Sequence, residues 1–291
     1  MNTMSTTDLE TWKTWVGREE VSVDQVQAEP VARMAAVLDR ELDDLAEGGA
    51  VPPLSHWLFF LPSAPQRDLG PDGHPARGGF LPPVILPRRM WAGSRIQFHR
   101  PMCVGQNISR MSSIADVREK VGRSGRLVFV KVVHTVRDEA GPILTEEQDI
   151  VYREAQKDTS TPPDSGTDHT TAFRSADWRR RVKPDGAMLF RFSALTFNAH
   201  RIHYDRPYAH EVEQYPGLVV HGPLQAMLLL DMFTRECPMN TVKEYSFISR
   251  RPLFDNAPFD LCGARTSERQ IALWIENLDG QTITEATINV G

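Results

Sequence analysis

With 291 residues the chain can bury a large core, and at about 150 residues per domain its length suggests two units. It is 41% hydrophobic and 24% charged, with a formal net charge of −5 and no long Lys/Arg run, which argues against nucleic acid as a partner. Cys103, Cys237 and Cys262 are scattered without CxxC spacing, which argues against a disulfide framework or a zinc site and suits a reducing compartment. Met1 to Glu20 is polar with no apolar h-region, and no apolar run approaches bilayer length, so the expectation is a soluble cytoplasmic protein with no membrane partner.

Residues 6–17 and 29–47 read as helices, the second from the spacing of Val31, Met34, Ala35, Val37, Leu38, Leu42 and Leu45, with Gly48-Gly49 ending it. Ser55 is placed to cap a short apolar helix over Trp57–Leu61, stopped by Pro62. Residues 62–87 are rich in Pro and Gly and read as a long irregular excursion, a feature more often functional than neutral. From Met90 the signal is β: strands at Trp91–Phe98, Asn107–Val117, Leu127–Val136 and Leu144–Arg153, with a turn at 138–141. In the third of these Val128, Val130, Val132 and Val136 share one face.

Residues 155–177 are polar, lack an apolar pattern and read as a linker. A second unit then follows, dividing the chain into 1–154, 155–177 and 178–291. The run before Asn198 reads as strand-like. Strands are expected at Tyr245–Leu253, Leu261–Thr266, Gln270–Asn277 and Thr282–Asn289. Between them, Leu224, Ala226, Met227, Leu228, Leu229, Leu230, Met232 and Phe233 make a helix apolar on nearly every face, which must be buried on all sides. An antiparallel sheet curled round one helix does this. The expected class is therefore α+β, a double hot dog, two antiparallel sheets each wrapped around a central helix, with Val51–Leu61 as the helix start of the first half.

The chemistry-bearing residues cluster at Phe197-Asn198-Ala199-His200-Arg201-Ile202-His203-Tyr204-Asp205 and at Val220-His221-Gly222-Pro223-Leu224. These segments resemble the hydratase motif and the His-Gly turn of the MaoC-like, (R)-specific enoyl-CoA hydratases. With Ser55-His56-Trp57, Gly79-Phe80-Leu81-Pro82-Pro83 and Arg88-Arg89-Met90-Trp91, the chain resembles the fused, double-hot-dog branch, which includes type 2 hydroxyacyl-thioester dehydratases and mesaconyl-C4-CoA hydratases.

The resemblance implies a hydro-lyase acting on an α,β-unsaturated CoA thioester. It needs no cofactor beyond the CoA of its substrate, and the chain is either a monomeric pseudo-dimer or a homodimer. Such chemistry requires a base for water at Cβ, an acid for Cα and donors for the enolate oxygen. His203 is the expected acid/base, and the backbone N–H of Gly222 the expected oxyanion donor at a helix N-terminus. Asn198 falls where the family has an aspartate; an amide cannot take a proton, so it is assigned to orienting the water.

Arg88, Arg89, Trp91 and His221 are expected to contact the substrate. The Arg179-Arg180-Arg181 cluster is a further candidate for a phosphorylated molecule. Other readings compete. His200, His203 and Asp205 have a spacing that could ligate a metal, but no glutamate accompanies them as in the helical zincin pattern, no third ligand is evident, and no metal is expected. Asp205 also suits a helix N-cap. The first half, with Val37–Asp44 where a catalytic turn would lie, has no histidine there and is expected to shape the acyl pocket without chemistry. The rival functions are a 3-hydroxyacyl-thioester dehydratase of fatty acid metabolism, a thioesterase and a non-catalytic acyl-CoA-binding module.

Overall fold

The structure, a computed structural model, describes residues 6–42, 45–122, 125–154 and 174–291. The first half contains α1 (Thr6–Lys13), β1 (Glu19–Gln25), α2 (Ala28–Val37), β2 (Arg88–Phe98), β3 (Asn107–Gly122), β4 (Gly125–Asp138) and β5 (Gly141–Arg153). The second contains β6 (Trp178–Val182), α3 (Gly186–Leu195), α4 (Gly222–Glu236), β7 (Val242–Ser249), β8 (Phe259–Arg265), β9 (Gln270–Glu276) and β10 (Thr282–Val290). All ten strands pair antiparallel in one continuous sheet, in the order β1-β3-β4-β5-β2-β7-β10-β9-β8-β6. Each half has the same internal order of strands, first-third-fourth-fifth-second, and the halves meet where Gly93–Gln97 pairs with 244–248.

Helix α4 is buried from Leu224 to Phe233, as its all-round apolar sequence requires, and packs against β8, β9, β10 and β2. Even its two polar residues are buried. Gln225 binds the Val220 carbonyl and Thr284, while Asp231 pairs with Arg40, Arg180 and Arg235. No helix among the described residues is long and apolar enough to cross a membrane.

The first half has no counterpart of α4. Between α2 and β2 the only helical turns among the described residues are the 3-10 segments Ser55–Leu58 and Gln66–Asp68. Leu54 and Phe60 both lie in the left-handed region, at φ 72° and 55°, and together with Pro52, Pro53 and Pro62 they confine the expected Ser55-capped helix to one turn. The inner face of β3, β4 and β5 is covered instead in parts, by Trp12 of α1 over Ile114, Val130 and Val132 and by α2 toward Ile108 and Val136.

Other expectations need correction for local reasons. Helix α2 stops at Val37, ten residues before the expected end, because Asp39 is left-handed (φ 52°) and Arg235 of α4 donates to the Leu38 and Asp39 carbonyls. The run before Asn198 is helical, not strand-like. The Asp185 carboxylate caps it by accepting from the Met188 N–H at 2.8 Å, and Leu189, Phe192 and Ser193 share its buried face. Strands β1 and β6 were not anticipated. Both are edge strands, and in β1 Val21 and Val23 point to solvent, so its alternation advertises no core.

The expected linker lies outside the described residues except for its last four. There Arg174 and Asp177 already bond to Glu276 and Gly263 of the second half. Asp43 and Asp44 also lie outside.

Candidate active site

The two motif segments are brought together by a pair of reciprocal bonds. The Val219 N–H donates to the Ile202 carbonyl at 3.0 Å, and His203 Nδ1–H donates back to the Val219 carbonyl at 2.7 Å. That second bond fixes the tautomer, so Nε2 carries the lone pair. Burial lowers the His203 pKa to about 4, against the Val219 bond, so the ring is neutral near pH 7 and able to accept a proton.

His203 stacks on His221 with ring centroids 3.7 Å apart, and His221 Nε2 meets Ser193 Oγ at 2.9 Å. His221 is 1% exposed; it backs the ring of His203 more than it opens to a ligand. It is also the N-cap residue of α4, so the next residue, Gly222, offers an N–H with no acceptor inside the helix. The hydroxyl of Ser249 lies 3.6 Å from where a Gly222 Cβ would stand, and among the described residues this buried hydroxyl has no hydrogen-bond partner.

Asn198 sits in the turn that follows α3, after left-handed Phe197 (φ 48°); its Oδ1 accepts from the His200 N–H at 3.0 Å. His203, Asn198, His221 and Gly222 line one cavity of about 580 Å³. That space is confluent with lobes of about 790 and 410 Å³, all three sharing His74 and Arg89.

The arginines and the tryptophan divide. Arg88 is committed to Glu213, by its Nε to the carboxylate at 3.1 Å and by Nη2 to the carbonyl, and is not free for a ligand. Arg89 stays in the cleft, where its positive charge bears on His74 and His200. Trp91 gives its N–H to Gly93 and Ser94 and presents its ring, edge-on to Trp57 at 4.9 Å, as an apolar wall. The Arg179-Arg180-Arg181 cluster is consumed internally by Asp260, Glu276 and Asp231 and offers no phosphate site.

Asp205 turns away from the histidines. It pairs with Arg201 at 2.7 Å and caps the following segment through the Tyr208 N–H. His200 instead packs on His74, ring centroids 4.0 Å apart, and His74 Nδ1 lies 3.0 Å from the Asp72 carboxylate. Burial and the neighbouring imidazoles hold His200 near a pKa of about 2. One donor atom from each of Asp72, His74 and His200 falls within 4.8 Å of the others. The guanidiniums of Arg89 and Arg77 oppose a dication beside His74. The group reads better as a hydrogen-bonded brace than as a metal centre.

Asp72 and His74 come from the Pro/Gly-rich excursion, which is docked tightly on the motif. Gly73 (φ 87°) lies so near Ala199 that an added Cβ would stand 1.8 Å from its carbonyl oxygen, and Arg201 binds the carbonyls of Asp72 and Pro71.

Sequence reasoning missed a polar strip on the inner face of the first half. Ser112, His134 and Glu146 are paired in one row across β3, β4 and β5, with Arg110 and Gln148 beside them on that face. Glu146 is fully buried. Burial would raise its carboxyl, but His56 at 3.0 Å, the neighbouring His134 and the Ser94 hydroxyl overturn this and hold it at about 2, and the Trp57 N–H also donates to it. Burial takes His134 down to about 4. The signal was available: the valine alternation of β4 skips position 134, and that gap is a histidine.

With this geometry in hand, comparison with known proteins is specific. The family model for hydroxyacyl-thioester dehydratase type 2 matches residues 54–255. A mesaconyl-C4-CoA hydratase of Chloroflexus aurantiacus is 46% identical over 282 residues, 96% of this chain and 98% of that protein. Among solved structures, a MaoC-like dehydratase of Phytophthora capsici superposes with a TM-score of 0.69 at 12% identity, covering 97% of this chain and 98% of that one. A Mycobacterium tuberculosis protein described as a double hotdog fold superposes with a TM-score of 0.59 at 12% identity, over 94% and 96% of the two chains. These last two share architecture.

Proposed function

Because the chain belongs to the hydroxyacyl-thioester dehydratase type 2 family, we propose that this hydro-lyase hydrates mesaconyl-C4-CoA to citramalyl-CoA. Support for the substrate comes from the 46% identity, over nearly the full length of both chains, to a protein with that activity. Support for the mechanism comes chiefly from one observation: a neutral His203, its Nε2 left open by the Val219 bond, lines the same cavity as the first N–H of α4.

In the proposed reaction Asn198 holds a water molecule against Cβ, and His203 Nε2 takes its proton as the C–O bond forms. The electron pair of the double bond moves toward the thioester oxygen, which accepts from the Gly222 N–H at the positive end of α4. The imidazolium then returns the proton to Cα, the oxygen's charge collapses, and no second acid is consumed. A donor such as Gly222 lowers the barrier by about 3–4 kcal/mol. The absent carboxylate at position 198 is thus compatible with turnover.

A 3-hydroxyacyl-thioester dehydratase is the second reading, favoured by the matching family model. The experiment is a panel of enoyl-CoA and 3-hydroxyacyl-CoA thioesters assayed with wild type and His203→Ala. Hydration of mesaconyl-C4-CoA that falls by about two orders of magnitude in the variant is the expected result. Preference for long 3-hydroxyacyl chains would select the second reading. Binding of CoA thioesters with no turnover of any would leave a non-catalytic module, and release of free CoA would indicate a thioesterase.

A further inference from the structure

Arg110 stands on the inner face of β3, between buried Ile108 and Ser112 in the strand alternation, where an apolar side chain is the norm. Its Nε is shut from solvent and has no hydrogen-bond partner, and Nη2 reaches only the Phe60 carbonyl, at 3.4 Å. The guanidinium lies over the Phe60 ring, 4.9 Å from its centroid. Among the described residues it makes no ion pair. Asp24 accepts from the Phe60 N–H, and Glu146 is occupied by His56, Trp57 and Ser94. Other arginines with buried acids nearby are matched to them, as Arg180 and Arg235 are to Asp231.

Glu20, Glu146 and Asp24 bear on it electrostatically without touching it, and a half-buried cation with no carboxylate in contact is costly unless an anion arrives to meet it. Arg110 lines both larger lobes of the cleft, in the zone they share with Asn198, His74, Arg89 and Gln148. That zone includes the polar side chains of Arg110 and Gln148, with His134 beside them among the aliphatic Val132 and Ile150 of the lobe that holds His203. A guanidinium in that wall is unfavourable for a plain fatty acyl chain, which it would meet without a partner.

We infer that Arg110 is the carboxylate-binding residue of the acyl pocket, and that the enzyme selects acyl thioesters carrying a second, free carboxylate. Its two terminal Nη groups supply the paired donors that a planar carboxylate accepts. The inference rests on the hydration reading above and gives it a substrate class.

The test compares mesaconyl-C4-CoA with crotonyl-CoA, which has no second carboxylate, using wild type, Arg110→Gln, Arg110→Lys and Arg89→Gln. Wild type should prefer the dicarboxylic thioester. Arg110→Gln should lose about a hundredfold in kcat/KM for it while holding its rate on crotonyl-CoA, and Arg110→Lys should recover part of the loss. Equal losses on both thioesters in both Arg110 variants would make Arg110 a structural residue and overturn the inference, with the hydratase reading intact. A selective loss in Arg89→Gln and none in Arg110→Gln would overturn it in favour of Arg89. If wild type hydrates neither thioester the hydration reading fails, and calorimetric binding of the two thioesters then decides the inference, with equal affinities overturning it.

Discussion

An imidazole that ordinarily titrates at 6.5 is held at about 4 in His203, and this single displacement makes the residue useful. Near neutral pH almost every molecule carries the base in its proton-accepting form. The sign follows directly. Activity should stay level as pH falls from 7 to about 5, then decline through pH 4 as Nε2 becomes protonated, a profile measurable as kcat/KM against pH. A decline centred at 6.5 would show that burial does not govern this ring. His203, Asn198 and Gly222 could be picked out in the sequence because residue type and spacing carry the motif. Arg110 could not, since its significance depends on the cleft it faces and on a carboxylate it does not touch, and no local pattern records either. Arg88 illustrates the converse: its partner, Glu213, lies 125 positions away, so a paired arginine and a free one look alike in sequence.

At the level of elements, the excursion carrying Asp72 and His74 and the helix α4 hold the site from opposite sides. Gly73→Ala must break the close approach to Ala199 as well as strain a φ of 87°. The variant is expected to lose most hydratase activity while thermal unfolding, followed by circular dichroism, changes little, because the displaced segment is a surface excursion and not a strand. For α4 the expectation is reversed. Asp231→Asn withdraws the charge that three guanidiniums share, at 3.1, 3.1 and 2.9 Å, and should cost about 2–3 kcal/mol, seen as a lower Tm with kcat on the remaining folded enzyme preserved. Helix α4 could be read from composition alone. Helix α3 could not, because Phe190 and Phe192 mimic a strand's alternation, and the deciding signal was the single cap at Asp185. The edge strands β1 and β6 were illegible because an edge strand with valines facing water shows no inward face.

For the molecule as a whole, the fold buries several neutral imidazoles, in loops and turns as well as on β4. His134 and His203 are lowered to about 4, His200 to about 2, and His74 and His221 also lie below 6.5. Once the chain opens, each regains a value near 6.5 and takes a proton that the fold refused, so the unfolded state gains as pH drops below 6.5. Glu146 acts in the same direction lower down: its folded value of about 2 stabilises above 4.5, and that contribution fades as pH falls toward 2. The Tm should therefore be nearly flat above pH 6.5 and fall continuously from 6.5 to 4, as a scanning calorimetry series would show. A Tm that holds or rises over that interval would contradict the assignment of neutral rings.

The seam between β2 and β7 carries a further consequence. In a pair of identical subunits related by a dyad, every substitution is written twice, once on each side of the cleft. Here the same arrangement of strands is written in a single chain, so each position is spelled once. A histidine above α4 needs no twin above Ser55, and an arginine on β3 imposes nothing on β8. Each side of the cleft can answer to a different end of the ligand: one to the bond that reacts, the other to the group that distinguishes this ligand from its neighbours.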